Sequence, residues 1–189
     1  AYLPPLTDLA PEAIRGRIEE CGIVGMGGAG FPTHVKLRPS VPVDTLIVNG
    51  AECEPYLTCD DALMRAKTDE IVRGAKYLAA ALGVSQVLIA IEKNKPEAIA
   101  AFEQTELPVV PLKKQYPMGA EKQLIYCCTR RKVPLGKLPA DVGVIVQNVA
   151  TAFAVCEAVE LGKPLIERVV TVTGEGAKNP KNLLCPIGT

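Results

Sequence analysis

VGVIVQNVATAFAVCEAVELG, residues 142–162, changes periodicity in its middle. Residues 142–148 form an apolar run closed by Gln147 and Asn148, the pattern of a strand covered on both faces. Residues 149–162 continue as a helix that stops on glycine. A strand that runs straight into a helix leaves unpaired N–H groups and the positive end of the helix dipole at the junction, so residues 147–151 suit an anion.

The same alternation extends outward in both directions. Upstream, helices are expected at 11–20, 60–83 (one long helix or two joined), 95–105 and 119–130, and strands at 44–50, 86–92 and 108–112. Downstream, a further strand is expected at 167–174. Strands alternating with helices of this length imply parallel pairing through right-handed crossovers. The predicted fold is α/β, a three-layer α/β/α sandwich with a mostly parallel, Rossmann-like sheet and a glycine-rich loop. In such sheets ligands bind beyond the carboxyl ends of the strands. Those ends are Asn49–Pro55, Glu92–Asn94, the KKQYPMGAE loop and Gln147–Thr151, and they are polar where the strands are not.

Bulk properties exclude several function classes. The chain has 189 residues, with 21 basic and 21 acidic, and no long run of either sign, so the footprint of a nucleic-acid binder is missing. No apolar stretch reaches the about 18 residues of a membrane helix, and AYLPPLTDLAPEAI has no basic region followed by an apolar one. Neither a membrane span nor a signal peptide is expected. The seven cysteines contain no C-x-x-C pair, and Cys127 and Cys128 are adjacent on a helix, pointing about 100° apart. Reduced thiols without a metal site are the expectation. The single histidine, His34, has no cluster of carboxylates or cysteines beside it and is read as solvent-exposed or satisfied in the core rather than catalytic.

Gly25, Gly27 and Gly30 have the spacing G-x-G-x-x-G within GIVGMGGAGFPTHVKL, residues 22–37. A dinucleotide fingerprint needs a strand before it and a helix after it. Here a helix precedes the loop, and Pro32 and Pro39 argue against a long helix following. The match is one of spacing alone. Even so, GMGGAGF places four glycines in six positions, more than a tight turn requires. Main chain without side chains lets a flat or anionic ligand approach its N–H groups, with Lys36 near enough to neutralise a phosphate. In AECEP, an extended segment would place Glu52 and Glu54 on one side.

GMGGAGFPTHVKL, LIVNGAECEPYLTCDD, YPMGAEKQLI, PADVGVIVQNVAT and GKPLIERVVTVTG, five blocks in order, closely resemble the C subunit of the Rnf electron-transport complex. More distantly, they are similar to the FMN- and NADH-binding flavoprotein subunit of respiratory complex I. The resemblance covers nearly the whole chain. It implies a flavin domain in which NADH stacks on FMN and passes it a hydride, with electrons then leaving for iron–sulfur clusters. Alignment of the rings carries that chemistry, so no catalytic acid or base is implied.

Carried onto matching positions, Gly25, Gly27, Gly28, Ala29 and Gly30 would form the loop against the nucleotide, and Lys36 would reach the FMN. Asn49, Glu52, Cys53 and Glu54 would line the flavin. Tyr116, Gly119 and Glu121 would form a second wall, and Asn148 and Thr151 would meet the FMN phosphate. Phe31 resembles the aromatic residue that stacks on the adenine of NADH. A carboxylate at Glu121 that holds a ribose diol would repel a 2′-phosphate and favour NADH over NADPH.

Two departures from the complex I pattern stand out: Met26 replaces an arginine and Ala51 an aspartate. The C subunit of Rnf extends into a β-rich domain and two [4Fe-4S] motifs. The resemblance therefore implies a core at 1–174, the start of the β-rich domain at 175–189, and clusters only beyond this sequence. It further implies NADH and the other subunits of a membrane-bound complex as partners, and a peripheral place on the cytoplasmic side of a bacterial inner membrane. The alternative of another class is a catalytically silent nucleotide-binding scaffold, as in a sodium-pumping quinone reductase; a third reading, a cobalamin-reductase-type homologue, shares the same core and differs in partner.

Overall fold

Strands buried on both faces need helices on both faces, and the chain supplies them in sequence order. In the computed structural model, which describes residues 2–189, helix α1 (Pro11–Glu20) and the single turn α2 (Thr33–Lys36) precede β1 (Thr45–Gly50). Then come α3 (Cys59–Ala66), α4 (Thr68–Leu82), β2 (Gln86–Glu92), α5 (Pro96–Glu103), β3 (Val109–Leu112) and α6 (Glu121–Thr129). A 3-10 turn at Pro139–Val142 leads into β4 (Val144–Asn148) and α7 (Val149–Leu161), followed by β5 (Glu167–Val172) and β6 (Lys181–Pro186).

Four strands pair in parallel in the order β3-β2-β1-β4. Alternate residues divide the core. Leu46, Val48, Ile89, Ile91 and Ile145 join Ile14, Ile18, Ile71, Leu78 and Val155 beneath α1, α4 and α7. Ile47, Ala90, Val144 and Val146 face Leu124 and Ile125 of α6. The chain steps outward from β1 to β3 and returns through α6 to add β4 on the other side of β1. The strand order thus reverses at β1 and β4, the place where open parallel sheets bind ligands.

Two expectations are refined. The 60–83 segment forms two helices, because Lys67 leaves the helical region (φ −137°, ψ 35°) while Thr68 Oγ1 bonds the Met64 carbonyl at 2.7 Å. The 167–174 strand does not join the parallel sheet: β5 pairs antiparallel with β6, Glu167 opposite Pro186 and Val172 opposite Lys181. Glu167, Arg168 and Thr171 interrupt its apolar residues, and such alternation suits a half-covered hairpin better than the interior of a parallel sheet. The hairpin docks onto the loop after β1, where Thr58 N donates to Thr171 Oγ1 at 3.1 Å and Asn182 Nδ2 to the Thr58 carbonyl at 3.1 Å.

Helices α4 and α7 meet where Gly74 faces Ala152, and a Cβ built on Gly74 would overlap the Ala152 carbonyl. Gly74→Ala is therefore expected to destabilise the fold by about 3 kcal/mol, lowering Tm by roughly 6–12 °C in a thermal melt. Gly16→Ala, where a Cβ meets nothing within 4 Å on the exposed face of α1, is expected to leave Tm unchanged or raised. Equal melts for the two variants would contradict this packing.

Candidate functional site

Loops from three strands close on one another at the sheet's carboxyl end. At the tip of β1, Asn49 Oδ1 accepts from Ala51 N (3.0 Å), and Asn49 Nδ2 donates to the Gly119 carbonyl (3.0 Å), tying β1 to the loop after β3. A Cβ on Gly119 would lie 3.0 Å from Cys53 Sγ, so that wall is close-packed against the β1 loop.

Glu52 adopts φ 46°, so the segment is not extended and does not place Glu52 and Glu54 side by side. Glu54 stays exposed. The Glu52 side chain, 2% exposed, turns beneath the loop. Its carboxylate accepts from Asp60 N (2.6 Å) and Asp61 N (3.2 Å) at the start of α3. Any contact between Glu52 and a ligand in front of the loop therefore falls to its main chain.

Lys95, just past the tip of β2, reaches under the same loop. Its Nζ donates to the carbonyls of Ala51 (2.8 Å) and Glu52 (3.4 Å) and stands 3.9 Å from Glu52 Oε2. Burial pushes the Glu52 carboxyl above its ordinary range, although the Asp60 amide opposes the shift. Burial likewise raises Asp60, opposed chiefly by the hydrogen bond from Asn148, and raises the Cys59 thiol. Glu52, Cys59 and Asp60 are close enough to share a metal ion, but both carboxylates are already held by N–H donors.

Asn148 is the N-cap of α7. Its Oδ1 accepts from Ala150 N and its Nδ2 donates to Asp60 Oδ2, each at 2.7 Å. The glycine-rich loop settles on this cap. Gly25 N donates to the Phe31 carbonyl (2.8 Å) and Thr33 N to that of Ile23 (3.0 Å), closing the loop's base. Met26 N donates to Thr151 Oγ1 (2.9 Å), and a Cβ on Gly27 would stand 3.1 Å from Asn148 Cβ. Arg168 of β5 donates to the Met26 carbonyl at 3.0 Å. Gly28 and Gly30 face open space, Gly30 with φ 67°.

Of the remaining predicted residues, Lys36 Nζ pairs with Glu121 Oε1 at 2.7 Å, linking α2 to the start of α6. Ala29, Phe31 and Tyr116 are exposed. A cleft of about 450 Å³ opens along Cys53, Glu54, Glu92, Lys95 and Tyr116. A second cleft of about 520 Å³, along Arg15, Arg38 and Pro39, contains no predicted site residue.

The structure thus gathers the glycine loop with Asn148 and Thr151, and Asn49 with Cys53 and Gly119. Sequence reasoning missed the parts played by Asp60, Lys95 and Arg168. Asp60 was legible only as a charge complementing a helix N-terminus. Lys95 and Arg168 carry no local signal, because each acts on a loop distant in sequence. Gln147 Nε2 and Glu92 Oε1 at the strand ends are buried with no partner among the described residues.

The family model described as the Nuo51 FMN-binding domain matches residues 18–157. The chain is 52% identical over 188 residues to the C subunit of the proton-translocating ferredoxin:NAD(+) oxidoreductase complex of Clostridium ljungdahlii, covering 96% of this chain and 41% of that protein. It is 51% identical over 200 residues to the C subunit of the ion-translocating oxidoreductase complex of Rhodobacter capsulatus, covering 100% of this chain and 38% of that one. The chain therefore spans about two-fifths of the length of these relatives. Among solved structures, a chain of an NAD+-reducing [NiFe]-hydrogenase in the H2-reduced state superposes with a TM-score of 0.81 at 24% identity, over 95% of this chain and 37% of that one. At that identity the likeness concerns the fold.

The raised Asp60 carboxyl has a signed consequence. The folded state binds its proton more tightly than the unfolded chain, so this group's contribution to stability falls as pH rises above the ordinary value of 3.8. Asp60→Asn retains an acceptor for Asn148 and cannot ionise. Its stability relative to the parent, from urea unfolding at constant ionic strength, is expected to improve as pH rises from that value toward neutrality. A difference independent of pH would contradict the assignment.

Proposed function

This chain belongs to the Nuo51 FMN-binding domain family, and on that premise we propose that it is the NADH-oxidising flavin core of an Rnf-type C subunit. The observation that carries the reading is the seating of the glycine loop on the start of α7 beside the tip of β1. The relatives are subunits of ion-translocating oxidoreductase complexes, and among the described residues no helix is long and apolar enough to cross a membrane.

The residues fit FMN. A Cβ on Gly28 or Gly30 would meet nothing within 4 Å, so this stretch presents bare main chain to open space. Gln147 Nε2, beside the α7 cap, is a buried donor without an acceptor among the described residues. When bound, FMN supplies a two-electron acceptor that can release electrons singly.

In this proposal the residues act by binding and orientation. The N–H groups of Gly27–Gly30 and the start of α7 take the phosphate, with Asn148 and Thr151 holding these two segments in place and Lys36 adding positive charge. Asn49, Cys53 and Gly119 fix one wall of the flavin site. The main chain of Glu52, the Glu54 carboxylate and Tyr116 border its opening. Phe31 stacks on the adenine of NADH, and Glu121 favours a free ribose diol over a 2′-phosphate. In the full-length subunit, [4Fe-4S] clusters outside residues 1–189 would supply the one-electron acceptors. The β-rich continuation expected from 175 includes β6, already paired with β5. The other subunits of the complex, and the cytoplasmic face of the membrane, complete the proposed setting.

Anaerobic titration with FMN, followed by NADH, tests the reading. The expected result is bound yellow flavin whose absorbance bleaches on addition of NADH. Gly28→Val adds a side chain where none meets the protein, so it is expected to leave the melt unchanged and weaken FMN binding by at least about tenfold. Colourless protein at saturating FMN would instead favour the silent scaffold, and normal FMN affinity in Gly28→Val would place the flavin elsewhere.

A further inference from the structure

The chain's balanced charge conceals a strongly basic segment. Residues 107–140 carry seven basic residues and one acidic residue, against 21 of each in the whole chain. The one acid, Glu121, is paired with Lys36, and Arg131 is held by Asp44 (2.8 Å) and the Val142 carbonyl (3.0 Å). Among the described residues, Lys122, Arg130, Lys132 and Lys137 make no ion pair; Arg130 and Lys132 lie 5.7 and 5.8 Å from the Tyr126 ring.

Beyond Arg131 the chain projects as a tight turn. Lys137 N donates to the Pro134 carbonyl at 3.2 Å, and Gly136 takes φ 75°, the conformation a type II turn requires at its third residue. The far side is fixed where Leu138 N donates to Asp141 Oδ2 at 2.8 Å. Leu135, at the apex, is 100% exposed, and Leu138 is 69% exposed. The turn leads into the start of β4, so it lies at the end of the sheet opposite the strand tips.

We propose that the 130–138 turn is a docking surface for anionic lipid headgroups, with Leu135 and Leu138 entering the interface and Arg130, Lys132 and Lys137 meeting the phosphates. Long, flexible lysines around exposed leucines and a tyrosine match a membrane interface, where the cations stay at headgroup level while the apolar side chains sink. A protein partner fits less well, since protein interfaces are depleted in lysine. Docked this way, the strand-tip site faces away from the bilayer and stays open to solutes. This surface does not depend on the flavin reading.

Co-sedimentation of the chain with vesicles tests it. The expected result is binding to vesicles of equal parts phosphatidylglycerol and phosphatidylcholine, weakening as salt rises, and none to phosphatidylcholine alone. The double variant Lys132→Glu/Lys137→Glu is expected to bind at least about tenfold more weakly. Leu135→Ser is expected to bind more weakly while keeping the salt dependence. All three positions are exposed, so unchanged melting verifies the fold. Absence of binding to the anionic vesicles, equal binding to neutral ones, or parent-like binding by both variants would overturn the proposal. Retention on polyglutamate without vesicle binding would also overturn it, assigning the patch to an acidic protein.

Discussion

Asn148 is the residue through which β4, α7, α3 and the glycine loop constrain one another. One amide caps α7 through Ala150 N, holds Asp60 at the start of α3, and offers its Cβ to a loop that approaches closely because position 27 is glycine. An N-cap alone is worth about 0.5–2 kcal/mol. A hydrogen bond to a buried carboxylate adds about 1.5–3 kcal/mol, and its loss would leave that carboxylate unsatisfied. A short side chain with both a donor and an acceptor meets these demands together; aspartate would place a second carboxylate against Asp60.

The charges under the β1 loop follow a similar logic. Glu52 and Asp60 are buried together, which disfavours ionisation of both; Lys95 opposes this at both carboxyls, and Arg168 opposes it at Asp60. Lys95 directs its hydrogen bonds to the Ala51 and Glu52 carbonyls. It thereby fixes a turn that includes the left-handed Glu52. Such a conformation is uncommon for a side-chain-bearing residue and persists where surrounding bonds determine it. The result is a rigid floor beneath the residues that face outward: the glycine loop, Cys53, Glu54 and Tyr116.

Much of this fold was legible because its strands are covered on both faces. LIVNG and VIVQN are unbroken apolar runs, and local signals such as Pro11, Pro96 and the stops at Gly83 and Gly162 frame the helices. The departure of β5 was written in its interrupted pattern, yet order along the chain suggested a further parallel strand. The ends of the site were legible as polar strand tips and a glycine-dense loop. Its floor was not: the inward turn of Glu52 and the reach of Lys95 and Arg168 depend on contacts across the fold, which no local pattern encodes. The basic turn at 130–138 was hidden for a different reason, since the acids that balance its charge lie elsewhere in the sequence.

The central claim is that bare main chain between residues 25 and 31, the tip of β1 and the start of α7 enclose one planar, phosphorylated ligand. Amide hydrogen exchange with and without FMN tests it most directly. The account predicts protection of residues 25–31, 49–54 and 148–151, with the cleft beside Arg38 and Pro39 unchanged. Protection at that second cleft, or unaltered exchange in all three segments at saturating FMN, would contradict it.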